Sequence, residues 1–435
     1  MDILQVIQLT LLALHLCGTE TFAFPPDIFD DRHLYTFDEC KTKLDFSRMG
    51  LTRVNRDLIA DRTCLKNLSL EGNKIRKFEE GIFRNLTDLE YLDLSMNELS
   101  LKTLFSFGSV PSLKTLILNG NNRIGNSFTL DTKVYFPEVT LLSLQDMNTN
   151  SFAIKWSEHF PKIEELDVSF NRPTSMKEFL KNLPTTLRSL TMKNVGLEKL
   201  RIQNLKNLTS LNLDFNPFRS IKRSNCDETS VCLENLDGLE SLILSHCDIE
   251  LIEEHAFEHM TKLVYLDLRG NEIPRISSGT FGRSPSLSFL DINYNPLVDV
   301  SFISELQNLT TLSMDYMKDK HAIESLFSLS SVPKKIQVLT LWGNRMSFIP
   351  SEFLDNLQNI REIDLSYNQL SVLHPGSWQR NLKVINLHDN YVSKIEDLHL
   401  SEATSLQSLN LRGNKLASID PEVRKTLPKN VDLKL

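Results

Sequence analysis

Two kinds of side chain suited to binding a partner recur at regular intervals along this chain. Aspartate occupies the middle of several short apolar segments, at Asp45, Asp93, Asp167, Asp267, Asp291 and Asp364. Aromatic residues follow a few positions later, at Phe170, Phe215, Tyr294, Tyr316, Trp342 and Tyr367. Aromatic rings surrounded by carboxylates are typical of protein-binding surfaces, and the carboxylates favour a basic or polar partner.

These side chains are densest between residues 289 and 367. If the segments that carry them stack as neighbouring strands, strand spacing places the set within about 15 Å. We therefore predict a partner-binding site formed by Phe289, Asp291, Tyr294, Tyr316, Trp342, Asp364 and Tyr367. The alternative is that the same residues belong only to the consensus of a repeat.

A search for catalytic motifs finds one formal match. The segment "HAFEH", from His255 to His259, has the HxxEH spacing of a zinc peptidase. Phe257 at its centre fits a buried repeat position better, and no third ligand is evident. We predict no enzyme activity, no metal site and no cofactor.

An internal repeat determines the fold. The segments "LEYLDLSMNEL" (89–99), "LVYLDLRGNEI" (263–273), "IREIDLSYNQL" (360–370) and "LQSLNLRGNKL" (406–416) all fit LxxLxLxxNxL. Sixteen such rungs follow one another, most often 24 residues apart. The pattern predicts an α/β-type solenoid, a leucine-rich-repeat horseshoe with parallel strands on its concave face and an irregular, partly helical convex side.

The physical basis of the pattern is that no rung can bury its own apolar face. The three leading apolar positions point inward, and Phe83, Phe257 and Phe281 are predicted to form a buried spine on the return side. The ninth-position Asn needs buried partners, which the backbone of neighbouring rungs can supply. Five rungs carry another residue there, namely Met49, Met147, Val195, Cys247 and Met317. Those rungs, and the 31-residue spacing before Cys247, indicate either a bend or loop used in binding or simple drift of the repeat.

The cysteines indicate an oxidising compartment. Cys40 and Cys64 precede the first two strands and should face each other, so we predict a disulfide between them. Cys226 and Cys232 lie in the long insertion, about residues 217–238, and suit a second bridge. Cys247 is then left without a disulfide partner, and it stands at the buried ninth position of its rung in place of Asn.

The N-terminus resembles a secretory signal, which we place at residues 1–23. Residues 24–64 are then an N-terminal cap with the first repeat, and 65–435 are the array. The sequons Asn67, Asn85, Asn207 and Asn308 predict partial N-glycosylation of a secreted protein. The 435 residues carry a formal net charge of −8, which argues against a nucleic-acid partner.

The chain resembles the extracellular leucine-rich-repeat proteins, most of all the ectodomains of Toll and Toll-like receptors and the chaoptin-type adhesion proteins. The resemblance implies a secreted recognition protein of innate immunity that binds an extracellular protein or glycoconjugate. The alternatives are an adhesion or matrix protein that self-associates and a fragment of a membrane signalling receptor. In those relatives a segment similar to "LPKNVDLKL" (427–435) leads to a four-Cys cap and a membrane span, so we expect an open edge that favours a homodimer.

Overall fold

Each rung places three apolar side chains in the interior and one short strand on the surface. In the second rung, Leu65, Leu68 and Leu70 have no exposed surface. We number rung positions from the first of these leucines, so that the strand covers positions three to five and the ladder Asn is position nine. The computed structural model of the protein describes residues 41–59, 62–121, 127–202, 204–282, 286–416 and 427–435. The predicted signal peptide and Cys40 lie outside these residues.

The long sheet contains seventeen parallel strands, one for each of the sixteen rungs and one more at the C-terminal side. They are β1 (Lys43–Asp45), β2 (Asn67–Ser69), β3 (Tyr91–Asp93), β4 (Thr115–Ile117), β5 (Leu141–Ser143), β6 (Glu165–Asp167), β7 (Ser189–Thr191), β9 (Ser210–Asn212), β12 (Ser241–Ile243), β14 (Tyr265–Asp267), β15 (Phe289–Asp291), β16 (Thr311–Ser313), β17 (Val338–Thr340), β18 (Glu362–Asp364), β19 (Val384–Asn386), β20 (Ser408–Asn410) and β21 (Asp432–Lys434). Each strand pairs with the next in the same register, as Leu68 with Leu92 and Leu409 with Leu433. The predicted solenoid is therefore confirmed, and the alternation at 431–435 is a strand of the same sheet.

The aromatic spine is also present. Phe83 packs against Phe107 with ring centroids 5.4 Å apart, and Phe281 lies 5.2 Å from Phe257 and 5.7 Å from Phe302. All five rings are buried. Because each ring touches its neighbour in the adjacent rung, the return side shares one apolar core with the strands.

The ladder asparagines connect neighbouring rungs. Asn97 donates from Nδ2 to the carbonyl of Leu94 in its own rung at 3.1 Å and to that of Leu70 in the preceding rung at 2.9 Å. Its Oδ1 accepts the N–H of Ile75 at 3.1 Å. One buried amide thus satisfies backbone groups of two rungs, which explains the recurrence of Asn.

Two exceptions to the ladder have local explanations. Cys247 lies with Sγ 3.2 Å from the carbonyl of Leu213, a place where an amide would donate. Val195 follows a rung whose position eleven is Pro173, and proline has no N–H for an Asn to accept. The predicted buried, unbridged state of Cys247 is confirmed.

The 31-residue spacing between Asn216 and Cys247 accommodates part of a second parallel sheet, which lies on the return side, where the chain passes from one strand of the long sheet to the next. Its strands are β8 (Leu200–Arg201), β10 (Ser220–Lys222), β11 (Ser230–Cys232) and β13 (Leu251–Ile252), in the order β13-β10-β11-β8. The long sheet continues past the insertion without a break, since Leu211 pairs with Leu242. The predicted Cys226–Cys232 disulfide is present, with Cα atoms 5.7 Å apart.

Short helices fill the other return segments. They are α1 (Arg56–Ile59), α2 (Trp156–His159), α3 (Met176–Lys181), α4 (His321–Phe327) and α5 (Ser351–Asp355), with 3-10 turns at Ser301–Glu305, Ser377–Asn381, Ile395–Leu398 and Leu400–Glu402. Within the described ranges, none of the helices has the length and apolarity of a membrane span.

Candidate ligand-binding surface

The strand face of the long sheet, formed by positions three, five, seven and eight of each rung, carries the polar and aromatic side chains. Position eight, where the chain leaves the strand, has a positive φ in all sixteen rungs. Five of these residues are glycines, Gly72, Gly120, Gly270, Gly343 and Gly413. At each one, an added Cβ would clash with the position-eight side chain of the preceding rung. These glycines therefore leave room for the side chain of the preceding rung. Elsewhere large residues at position eight stack on each other, as Phe215 does on His246 and Tyr294 on Tyr316.

In rungs eleven to fifteen this arrangement forms a continuous aromatic row. Its rings are Tyr294, Tyr316, Trp342, Tyr367 and His388, and successive centroids are 5.2, 4.3, 5.6 and 5.1 Å apart. The three tyrosines remain 37%, 39% and 45% exposed. Their mutual contacts fix the ring positions before a ligand arrives, which lowers the entropy lost on binding.

The mid-strand carboxylates have a structural role as well as a charge. Asp364 Oδ1 accepts the backbone N–H of Ser366 at 2.9 Å and its hydroxyl at 2.6 Å. Asp167 makes the same two bonds to Ser169, and Asp291 accepts the N–H of Asn293. The Asp side chain thus orients the backbone where the strand ends, which explains part of its recurrence.

Asp315, at position seven, joins these carboxylates below the aromatic row. It accepts the backbone N–H of Trp342 at 2.7 Å and the hydroxyl of Thr340 at 3.0 Å. Burial raises the pKa of Asp315 to about 6 despite these bonds. Removal of a carboxylate from water disfavours its charged form more than two neutral donors compensate.

Asp267 and Asp291 are direct neighbours on β14 and β15 and share one cation. Both are buried, and Arg269 lies 3.3 Å from a carboxylate oxygen of Asp267 and 3.9 Å from one of Asp291. Burial, followed by the charge of Asp267, raises the pKa of Asp291 to about 7. One guanidinium is therefore insufficient for two buried carboxylates, and burial and like charge disfavour full ionisation of the pair.

The seven predicted site residues fall into three groups. Tyr294, Tyr316, Trp342 and Tyr367 lie together in the aromatic row. Phe289 lies at the other end of its strand, where it stacks on Tyr265 with centroids 4.2 Å apart. Asp291 and Asp364, at position five, lie between Phe289 at position three and the aromatic row at positions seven and eight. The rings thus line two edges of the surface, and we call the carboxylates between them the floor.

Three residues of this surface are not among the predicted ones. Tyr265 and His388 extend the two aromatic edges, and Asp315 adds a carboxylate to the floor. Tyr265 is detectable by aligning position three of successive rungs, where it stands 24 residues before Phe289. Asp315 gives no such signal, because the other aspartates of this region stand at position five.

The remaining predicted sites lie elsewhere. Asn85 and Asn207 are exposed, whereas Asn67 and Asn308 are half-buried. Cys64 is disulfide-bonded, and since Cys40 is outside the described residues, the pairing of the two stays a prediction. In the HxxEH segment, Phe257 occupies its spine position, and the imidazoles of His255 and His259 contact different backbone carbonyls, those of Gly279 and Leu233.

Comparison with known proteins agrees with this architecture. The leucine-rich-repeat family model matches residues 63–123, 237–297 and 334–381, and a second leucine-rich-repeat model matches 405–426. Podocan-like protein 1 of Mus musculus is 24% identical over 84% of this chain and 71% of its own length. CD180 antigen of Mus musculus is 24% identical over 82% of this chain, and Toll-like receptor 8 of Homo sapiens is 23% identical over 83%. The chain is a leucine-rich-repeat solenoid related to the Toll-like receptors and CD180.

Solved structures show the same fold. A crystal structure of a TLR13 complex with single-stranded RNA superposes with a TM-score of 0.59 at 22% identity, covering 82% of this chain and 57% of that one. The mouse RP105/MD-1 complex gives a TM-score of 0.59 at 15% identity, covering 88% and 73%. The chain spans only 49% of CD180 antigen and 30% of Toll-like receptor 8.

Proposed function

We propose that this protein is a secreted recognition module of the Toll-receptor-like type, which binds an extracellular protein through its strand face and catalyses no reaction. The proposal depends on one observation above all, the aromatic row of Tyr294, Tyr316, Trp342, Tyr367 and His388. Partly exposed tyrosine and tryptophan rings held in contact are the side chains that contribute most to protein interfaces. Relatedness to the Toll-like receptors and CD180 supports a role in host defence.

The test is a binding screen of the secreted chain against extracellular proteins, followed by substitution of the aromatic row. A Tyr316→Ala/Trp342→Ala double variant should weaken binding of a captured partner by about 2 kcal/mol or more, roughly thirtyfold. Phe348→Ala is the matched control, since this ring is 60% exposed but lies outside the row. Equal affinity of the double variant and the wild type would exclude the row and direct attention to the Cys226–Cys232 loop.

Self-association is the competing outcome of the same screen. If the only partner captured is a second copy of this chain, and the double variant abolishes dimerisation in analytical ultracentrifugation, the function is adhesive.

A further inference from the structure

We infer that the strand face of rungs ten to fourteen binds a basic protein segment, whose Arg or Lys side chains lie over the aromatic row and against the carboxylates of the floor. The inference rests on the proposed function and specifies the chemistry of its partner.

This face carries an excess of acidic side chains. Positions three, five, seven and eight of rungs ten to fourteen contain five carboxylates, Asp267, Asp291, Asp315, Glu362 and Asp364, and one cation, Arg269. Arg269 is committed to the buried pair Asp267 and Asp291. Asp315 and Asp364 are bonded to neutral donors, and Glu362 is exposed on the same face. Arg269 is thus the one cation at these positions for five carboxylates.

The geometry of the ring and carboxylate groups favours the same kind of partner. Asp315 accepts the backbone N–H of Trp342, so a carboxylate lies against the main chain of the residue that carries the indole. The Trp342 ring meets Tyr316 and Tyr367 edge-on, at 83° and 84°. A guanidinium or ammonium group between these rings would gain cation–π attraction and an ion pair at once.

The same charges argue against a nucleic acid on this face. A phosphate backbone would meet an excess of carboxylates, and nucleic-acid surfaces instead carry clustered Lys and Arg. This chain shares its fold with TLR13, which was solved in complex with single-stranded RNA. The charge of the face nevertheless favours a basic partner over RNA.

Ligand binding should be linked to proton release. A cation stabilises the ionised form of a carboxylate, so affinity for a basic ligand must rise as Asp315 and Asp291, with pKa values of about 6 and about 7, lose their protons. The ionisable groups around these two carboxylates are Tyr265, Asp267, Arg269, Tyr294, Tyr316, Glu362, Asp364 and, further along the stack, Asp214, His246 and His388.

The experiment measures binding of a fluorescent peptide of four alternating Arg-Gly pairs to the full chain by anisotropy. Matched probes are the corresponding Glu-Gly peptide and a short single-stranded RNA. We expect saturable binding of the Arg-Gly peptide only, about tenfold tighter at pH 7.5 than at pH 5.

The decisive variant is Asp315→Asn/Asp364→Asn. Each amide keeps one oxygen, which can accept the Trp342 bond of Asp315 and the Ser366 bonds of Asp364, while the second-oxygen bonds from Thr340 and Asn386 are lost. This variant should weaken peptide binding at least about tenfold. The matched control is Asp93→Asn/Asp167→Asn, which removes two negative charges from position five of rungs outside the site. Asp93 and Asp167 accept the N–H and hydroxyl of Ser95 and Ser169, as Asp364 accepts those of Ser366. The control should keep wild-type affinity within about twofold.

Several results would overturn the inference. They are failure of the Arg-Gly peptide to bind, equal losses in the two double variants, or tighter binding of RNA than of the peptide. If the peptide fails while a captured protein partner still depends on Tyr316 and Trp342, the proposed function stands and only the basic chemistry is wrong.

Discussion

At the scale of single residues, the position where the chain leaves each strand determines how aromatic side chains can be displayed. The backbone there is left-handed in every rung, a conformation that costs a non-glycine residue about 1 kcal/mol or more. Tyr294, Tyr316 and Tyr367 nevertheless occupy it, and their rings contact neighbours across the rungs. Gly343 leaves the space into which the Tyr316 ring fits, so that the ring meets Trp342.

The first prediction concerns Gly343→Ala. The new Cβ would lie 2.7–2.9 Å from ring atoms of Tyr316, and because that side chain is partly exposed, the ring should swing away from Trp342. We expect altered near-ultraviolet circular dichroism and indole fluorescence, with a stability loss of roughly 1 kcal/mol from the positive φ.

Gly196→Ala is the matched control for this substitution. Gly196 has nearly the same φ, +71° against +70°, and no atom within 4 Å of an added Cβ. It should lose similar stability without a spectral change. Identical spectra for the two variants would show that Gly343 does not position the row.

At the scale of elements, the ladder residue fastens each strand to the preceding return segment. Asn271 shows the full pattern, because Nδ2 donates to the carbonyls of Leu244 and Leu268 at 2.8 Å each and Oδ1 accepts the N–H groups of Cys247 and Ile249 at 3.0 Å each. The Cys247 thiol, held neutral by a pKa that burial raises to about 12, replaces only the donor half of this pattern.

The second prediction compares these two ladder positions. Asn271→Ala leaves three buried backbone groups without a partner, the carbonyl of Leu244 and the N–H groups of Cys247 and Ile249, because the carbonyl of Leu268 also accepts from Asn295 at 2.9 Å. It should lower the free energy of unfolding by roughly 3 kcal/mol. Cys247→Ala removes one weak donor and a small apolar volume, so its loss should be about 1–2 kcal/mol. Urea unfolding of both variants measures the difference. Equal losses would mean that side-chain volume, and not hydrogen bonding, maintains the ladder.

At the scale of the whole molecule, stability is distributed along the stack, because each rung contacts chiefly its neighbours. The long sheet keeps its register across the 31-residue spacing, and the long segment contributes β10 and β11 to the return sheet, which β8 and β13 of the adjacent rungs complete. The strand face therefore continues past the insertion, and the return face is the side that varies.

The third prediction concerns glycans on this stack. If the chain is secreted as proposed, the exposed Asn85 and Asn207 should carry N-glycans, whereas the half-buried Asn67 and Asn308 should be used less. Glycosidase treatment of secreted protein, followed by mass spectrometry of Asn→Gln variants at each sequon, measures the occupancy. Full occupancy of Asn67 would contradict the expected order, and no mass loss at any sequon would contradict glycosylation itself.

Glycans at Asn85 and Asn207 would also leave the binding surface open. Both residues lie outside rungs ten to fourteen and outside the strand positions. Glycosidase treatment should therefore leave Arg-Gly peptide affinity unchanged, and a change of more than about twofold would place a glycan close to the site.

The sequence by itself determined the fold, because the LxxLxLxxNxL period fixes which side chains point inward and which backbone groups the Asn must satisfy. It also indicated the Phe spine, the Cys226–Cys232 bridge and the burial of Cys247, since each follows from position within one rung. The arrangement of the strand face was decided only by tertiary structure. Phe289 and Tyr294 are five residues apart in one rung, yet each packs against a ring from another rung, Tyr265 and Tyr316 respectively. Contacts between rungs depend on the exit direction at position eight, on the glycine that leaves room there and on the burial that shifts carboxylate pKa values, and a pattern read along one strand contains none of these quantities.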